Sequence, residues 1–232
     1  MTVAVPEFFV HFVLSDAFSV VGLILAWLGS TVVIERTNVA KPSTHILMET
    51  YREQWMVQMV TRNPRIFDSS VLGMMRQGAT FFASSCMIAI GGCVALIGGA
   101  DQITVFASEL ANTTVAPKIV WEVKILLLMA LLANGFLKFV WAVRLFGYCA
   151  IVMASTPNDP KNKTTYATAA KAAEIANHAA RSFNRGMRSV YFTIAALTWL
   201  IGPLPLMLAT ITTLILIYRR EFSSRTRRAL AN

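Results

Sequence analysis

Hydrophobic positions gather into four long runs, residues 17–34, 78–100, 119–153 and 191–218, separated by polar stretches. Each run is too long and too continuous for a strand, and no ten-residue alternation suggests a barrel. The first run is about 27 Å long as a helix, the thickness of a bilayer's hydrocarbon. The third is long enough to tilt or to project beyond the bilayer. The fourth is interrupted by Gly202, Pro203 and Pro205. Two readings of it stay open: a Pro-kinked crossing, or a re-entrant hairpin that turns at those residues. Because helices are the only open-ended structure that satisfies backbone groups in lipid, the pattern predicts an all-α polytopic membrane protein with four embedded segments. Residues 1–232 read as a single membrane domain.

Two polar stretches carry helical periodicity of their own. In residues 44–62, Leu47, Met48, Tyr51, Trp55, Met56, Met59 and Val60 recur at spacings of three and four, with Glu49, Arg52, Glu53, Gln54 and Arg62 between them. This predicts an amphipathic helix that lies on the membrane or on a neighbouring helix, with the charged residues over much of its other surface. Asn63-Pro64 stops it, and Asp68, Ser69 or Ser70 is placed to cap the helix feeding the second span. Residues 164–180 are alanine-rich and lack Pro or Gly, and a helix over 164–190 can run on into the fourth segment.

Composition supports lipid as the solvent. Residues AVILMFWYC make up 56% of 232, charged residues 14%, and the mean hydropathy is +0.57. Soluble domains carry about 25% charged residues, so a soluble fold, disorder and a disulfide scaffold are all excluded. The net charge is +9, from 21 Lys+Arg against 12 Asp+Glu. The basic residues lie between apolar runs, as the positive-inside bias requires, and no nucleic-acid module accompanies them. Loops 35–76 and 155–190 are the basic ones. They read as cytoplasmic, with the N-terminus and loop 101–118 outside. No Lys or Arg precedes Arg36, so the first run lacks a signal's basic region and reads as a retained span. The tail arginines, Arg219, Arg220, Arg225, Arg227 and Arg228, would end outside if the fourth run crossed once.

A few residues stand out chemically. Gly91, Ala95 and Gly99 make a small-residue stripe suited to close helix packing, within one chain or between copies. Lys138 lies mid-way along the third run, on one arc with Asn134, Trp141 and Tyr148. It reads either as a polar point on a solute path or as a lysine that pairs internally or snorkels. Arg144 reads as an interfacial anchor, and Asp16 and Lys124 as possible partners across helices. His178, Arg181, Arg185 and Arg188 fall on one helix face, a basic stripe suited to anionic phospholipid headgroups. A weaker idea is an enzymatic cluster of Arg52, Glu53, Asn177 and Arg181. Cys86, Cys93 and Cys149 lie in apolar runs and read as buried thiols. No nucleophile elbow, phosphate loop, dinucleotide fingerprint or metal motif is present, so no catalytic residue, metal ligand or cofactor is assigned.

The stretches YREQWMVQMVTRNPRIFDSSVLGMMRQGATFFASS (51–85), FLKFVWAVRLFGYCAIVMASTP (136–157), FNRGMRSVYFTIAALTWLIGPLPLMLAT (183–210) and YRREFSS (218–224) resemble the domain-of-unknown-function family 599. The resemblance covers most of the chain from Tyr51 onward and implies a bacterial integral membrane protein, hence the cytoplasmic (inner) membrane. It supplies no catalytic residues. The expectation for function is a non-enzymatic homo-oligomer that forms a transport or conduction path. The alternative is an accessory or scaffold subunit that grips anionic lipid or a larger membrane complex.

Overall fold

The computed structural model describes residues 14–37, 40–99 and 117–231. Among these residues every regular element is helical: α1 (Leu14–Ile34), α2 (Thr44–Met59), α3 (Ile66–Gly98), α4 (Lys118–Ser155), α5 (Thr165–Leu197), a 3-10 turn (Thr198–Leu200), α6 (Pro203–Phe222) and α7 (Arg225–Ala231). Most of loop 101–118, expected outside, falls beyond the described residues.

Three helices, α1, α3 and α4, are long and apolar enough to cross a membrane. They leave large apolar side chains such as Phe18, Leu25, Ile88 and Leu126 exposed, the arrangement expected where lipid replaces water. The fourth apolar run is two helices. The 3-10 turn after α5 leads to Gly202, and Pro203 starts α6 in its first turn, where its missing N–H costs nothing. The chain reverses here, since Arg220 of α6 donates to the Tyr191 hydroxyl of α5 at 3.2 Å. The Arg-rich end therefore returns to the end of the bundle where α1 finishes: Arg227 Nε reaches the Pro42 carbonyl at 2.9 Å. A single kinked helix through residues 191–218 is not what forms.

The bundle divides into two cores stacked along its axis. One is aliphatic and aromatic and joins α1, α3, α4, α5 and α6 around Leu23, Leu128, Phe139, Phe192 and Leu206. The other lies further along α4 and α5 and is built from Ala142, Ala169, Ala172, Ala176 and Ala179 against Met56, Met59 and Phe146. Alanine there lets α4 and α5, which share the most extensive helix interface, approach closely. At the first core's centre the Phe139 ring stacks on Phe82 at 5.3 Å and meets Phe183 edge-on at 5.5 Å.

The ends of the first core can be located by contacts. At one end, Trp199 Nε1 donates to Asp16 Oδ1 at 2.7 Å, and Lys124 Nζ stands 5.6 Å from the Trp199 ring centre. At the other, Ser189 Oγ donates to Asn134 Oδ1 and Ser182 Oγ to the Lys138 carbonyl, both at 3.1 Å. Between those serines, Arg185 and Arg188 hold Glu35, the residue that follows α1. The α4 stretch from Lys124 to Lys138 thus accompanies the whole of α1. The rest of α4, about 25 Å at 1.5 Å per residue, projects past it. The third apolar run is long because it serves both cores.

Candidate functional site

The helix boundaries near the Glu35 end differ from the sequence expectation in ways that build a polar site. α2 ends at Met59, short of Arg62, and its cap is Ser43. The Ser43 hydroxyl accepts from Ile46 N (3.3 Å) and donates to the Ile34 carbonyl (2.7 Å). One buried side chain thus satisfies the start of α2 and the end of α1 together. α3 begins at Ile66 with no side-chain cap. Asp68 instead lies fully buried in its first turn, where Trp55 Nε1 donates to it (2.7 Å) and Arg62 pairs with it. Arg65 donates to the Met153, Thr156 and Pro157 carbonyls and so closes the C-terminus of α4.

The face that α2 turns inward is not the apolar face the sequence suggests. Its buried residues are His45, Arg52, Met56 and Met59, a continuous helical stripe whose first half is polar. Tyr51 is exposed, and Leu47 and Met48 are only half-buried. The polar half is accepted because α5 and α6 bring partners to it. Arg52 Nε donates to Asn177 Oδ1 at 2.6 Å, Asn184 Nδ2 donates to His45 Nδ1 at 2.9 Å, and the His45 N–H donates to Glu221 Oε2 at 3.1 Å. Arg181 Nη2 pairs with Glu49 at 2.9 Å.

Beside this stripe lies the most concentrated charge cluster. Arg185 grips Glu35 through Nε at 2.9 Å and a second bond from Nη2, and Arg188 binds the same carboxylate. Arg188 also donates to Thr31 Oγ1 at 3.1 Å. Burial by itself would raise the Glu35 carboxyl, but the hydrogen bond from Arg185 and the charges of Arg188 and Arg185 outweigh it and hold Glu35 below the usual range. Burial pushes the His45 imidazole down to about 4, against the pull of Glu49, so the ring is neutral at physiological pH. Burial pushes Glu221 upward, with the His45 N–H and Arg188 opposing.

Two cavities border the cluster. One, of about 370 Å³, lies between α5 and α6 and includes Arg188, Tyr191, Arg220 and Glu221 in its wall. The other, of about 460 Å³, lies between α2, α3 and α5. Its polar wall holds His45 and Arg52, and its apolar wall Met74, Met75, Phe146 and Phe183. Beside it, His45 Nε2 and Arg52 Nη2 are fully buried and lack hydrogen-bond partners.

The residues singled out in sequence divide sharply. Arg52 and Asn177 meet, as the polar-cluster idea required, but Glu53 is exposed. Of the basic stripe, Arg181, Arg185 and Arg188 pair with Glu49 and Glu35; Arg188 is buried, Arg181 and Arg185 stay partly exposed, and His178 lies at the surface beside Glu174. Its three arginines clamp carboxylates of α2 and of the residue after α1. Its acidic partners stand on α2 and after α1, so distant in sequence that periodicity cannot reveal them. Asn134 turns to Ser189, and half-buried Lys138 sits level with the end of α1. Trp141 and Tyr148 lie on the exposed side and frame Arg144, whose guanidinium is 5.8 Å from the Trp141 ring centre and donates to the Tyr148 hydroxyl at 3.1 Å. Gly91 and Ala95 are exposed, no atom lies where a Gly91 side chain would go, and Gly99 meets only its own helix. Among the described residues no other helix packs against Gly91 or Ala95. The three cysteines are buried free thiols. Glu35, His45, Glu49, Asn184 and Glu221 form the site without having been singled out. The one available signal was the run of His45, Glu49 and Arg52 at spacings of four and three.

A family model described as a protein of unknown function, DUF599, matches residues 18–226. No curated protein and no solved structure matches the chain. The match spans both cores, the α5–α6 reversal and every residue of the charge cluster, and the chain belongs to the DUF599 family.

Proposed function

We propose that this is a non-enzymatic membrane protein that acts as a homo-oligomer, with the α5–α6 hairpin as its fourth embedded segment. The observation that carries this reading is the bare face of α3. Only 11% of its most apolar window is buried within the chain, and the exposed face includes Gly91, Gly92 and Ala95. Small residues on a membrane helix let another backbone approach closely, and among the described residues no other helix takes the place. Inside one chain the polar groups of the first core, Ser189, Thr193 and Asn134, satisfy one another. A transport or conduction path would therefore run between copies. The Glu35 end, where Arg36, Lys41 and the tail arginines gather, is the cytoplasmic end by the positive-inside bias.

The test is cross-linking in membranes. With the native cysteines replaced by serine or alanine, Ala95→Cys is expected to give a disulfide-linked dimer on mild oxidation. Ile90→Cys, on the partly buried side of α3 that packs on the first core, should not. A monomer for both, together with a monomeric mass in mild detergent, would remove self-association through α3.

A second reading, an accessory subunit that grips anionic lipid, is favoured by the exposure of Arg219, Arg220, Arg225 and Arg228 on one end of the molecule. Each such residue adds roughly 1 kcal/mol near an anionic surface. Replacing Arg219, Arg225 and Arg228 with glutamine should then weaken binding to phosphatidylglycerol vesicles more than tenfold at low salt, with the difference shrinking as salt rises. Equal binding by the variant at low salt would discard this reading.

A further inference from the structure

We infer that the cavity between α5 and α6 is a binding site for a zwitterionic headgroup that joins a primary ammonium to a phosphate, as in phosphatidylethanolamine. Its wall carries one open anion and one open cation. The anion is Glu221. Its Oε2 accepts the His45 N–H at 3.1 Å, whereas among the described residues Oε1 takes no hydrogen bond and no cation stands within ion-pair distance. Oε1 is also not among the atoms shut from solvent. The other two carboxylates of this end, Glu35 and Glu49, are both held by arginine.

The cation is Arg220. It is exposed, donates to the neutral Tyr191 hydroxyl at 3.2 Å, and pairs with no carboxylate among the described residues. Tyr191 keeps its own hydroxyl proton to give. Arg188 in the same wall is already neutralised by Glu35. The wall therefore offers one positive and one negative charge. A simple anion would meet Glu221 there and a simple cation Arg220, while a zwitterion satisfies both. The cavity of about 370 Å³ has room for roughly a dozen water-sized groups. It meets the neighbouring cavity at Thr44, Phe183, Asn184 and Glu221, so the carboxylate borders both spaces.

The cavity also lies at the right level. Tyr191 and Arg220 stand at the boundaries of the apolar run 191–218, where headgroups meet hydrocarbon. About one turn further along α5 and α6 on the apolar side, Ile194 and Leu216 are 60% and 55% exposed. Acyl chains can lie against them while the head turns inward to Glu221. The inference takes the α5–α6 hairpin as embedded. A single chain carries the whole site, so a failure of self-association through α3 leaves it standing.

The test uses the full chain in a non-ionic detergent, with native mass spectrometry to read stoichiometry and a competition titration to read affinity. The probes are phosphatidylethanolamine, phosphatidylcholine, phosphatidylglycerol and free phosphoethanolamine. Phosphatidylethanolamine is expected to bind one per chain, about tenfold or more tighter than the other two lipids, since neither offers Glu221 an ammonium hydrogen. Free phosphoethanolamine binding as tightly as the lipid would make a soluble zwitterion the source, and much weaker binding a membrane lipid. Glu221→Gln keeps an oxygen for the His45 N–H and should abolish the preference over phosphatidylcholine. Arg220→Gln, at an exposed position, should weaken phosphatidylethanolamine binding about tenfold. Equal or tighter binding of phosphatidylcholine or phosphatidylglycerol by the parent chain, a preference that survives Glu221→Gln, or unchanged binding by Arg220→Gln would overturn the inference.

Discussion

Glu35→Ala is expected to lower the thermal unfolding midpoint in detergent by roughly 10 °C, the equivalent of about 3 kcal/mol in a chain of this size. The reason is the company the carboxylate keeps. Arg188, almost fully buried, and Arg185, partly exposed, both terminate on Glu35, and Glu35 joins the end of α1 to α5. Removing the anion leaves Arg188 a buried cation without its ion-pair partner. Most of the loss comes from Arg188, because solvent screens the more exposed Arg185. The double variant Glu35→Ala/Arg188→Ala should then be less destabilised than the sum of the two single changes, since each single change strands a charge and the double change does not. A midpoint drop under 2 °C for Glu35→Ala, or strict additivity, would show that the clamp is not what holds this end of the bundle. The same cluster makes acid destabilising. Glu35 and His45 both have folded values depressed below their unfolded ones, so the stability they supply is complete at neutral pH. It is lost from about pH 6.5 downward as His45 charges toward its folded value of about 4 and Glu35 then protonates.

Gly186→Ala should destabilise by about 2 kcal/mol, and Gly186→Val by more, although glycine inside a helix is ordinarily worth roughly 1 kcal/mol less than alanine. A Cβ at Gly186 would stand 2.8 to 3.0 Å from three atoms of the Phe139 ring. That ring is completely buried and wedged between Phe82 and Phe183, so it has nowhere to move. The internal control is Gly73→Ala. Gly73 is exposed on α3 with no atom near its missing side chain, and there the helix propensity should show its normal sign, a gain of about 0.5–1 kcal/mol. The compensating pair Gly186→Ala/Phe139→Leu should recover part of the loss. If Gly186→Ala melts at or above the parent temperature, the aromatic wedge is not a rigid part of the first core.

Local features of the sequence located most of the helices, and missed where they met competing demands. The α2 region carries both a stripe of Leu47, Met48, Tyr51 and Trp55 and an overlapping one of His45, Arg52, Met56 and Met59. Hydrophobicity favours the first, and the structure buries the second. The choice turns on Asn177, Asn184 and Glu221, which are more than a hundred residues away in the chain and pay for burying the polar half. The ion pairs of Arg181, Arg185 and Arg188 were hidden from the sequence for the same reason. One helix face of like charge looks like an open surface until its carboxylates arrive from elsewhere. The small-residue stripe of α3 was legible as a stripe, but whether a partner from the same chain covers it depends on where the other helices pack.

The sequence alone determined that its elements are helices, that three of them are long and apolar enough to cross a membrane, and to which family the chain belongs. These follow from composition and short-range periodicity, because a backbone in lipid has few ways to satisfy its own polar groups. Only the tertiary structure decided that residues 191–218 reverse at Gly202, that α4 serves two cores, and that α2 turns its charges inward. Those outcomes depend on pairing between residues far apart in the chain. The free energy of burying a charge is set by the partner that meets it, and no window of sequence contains that partner.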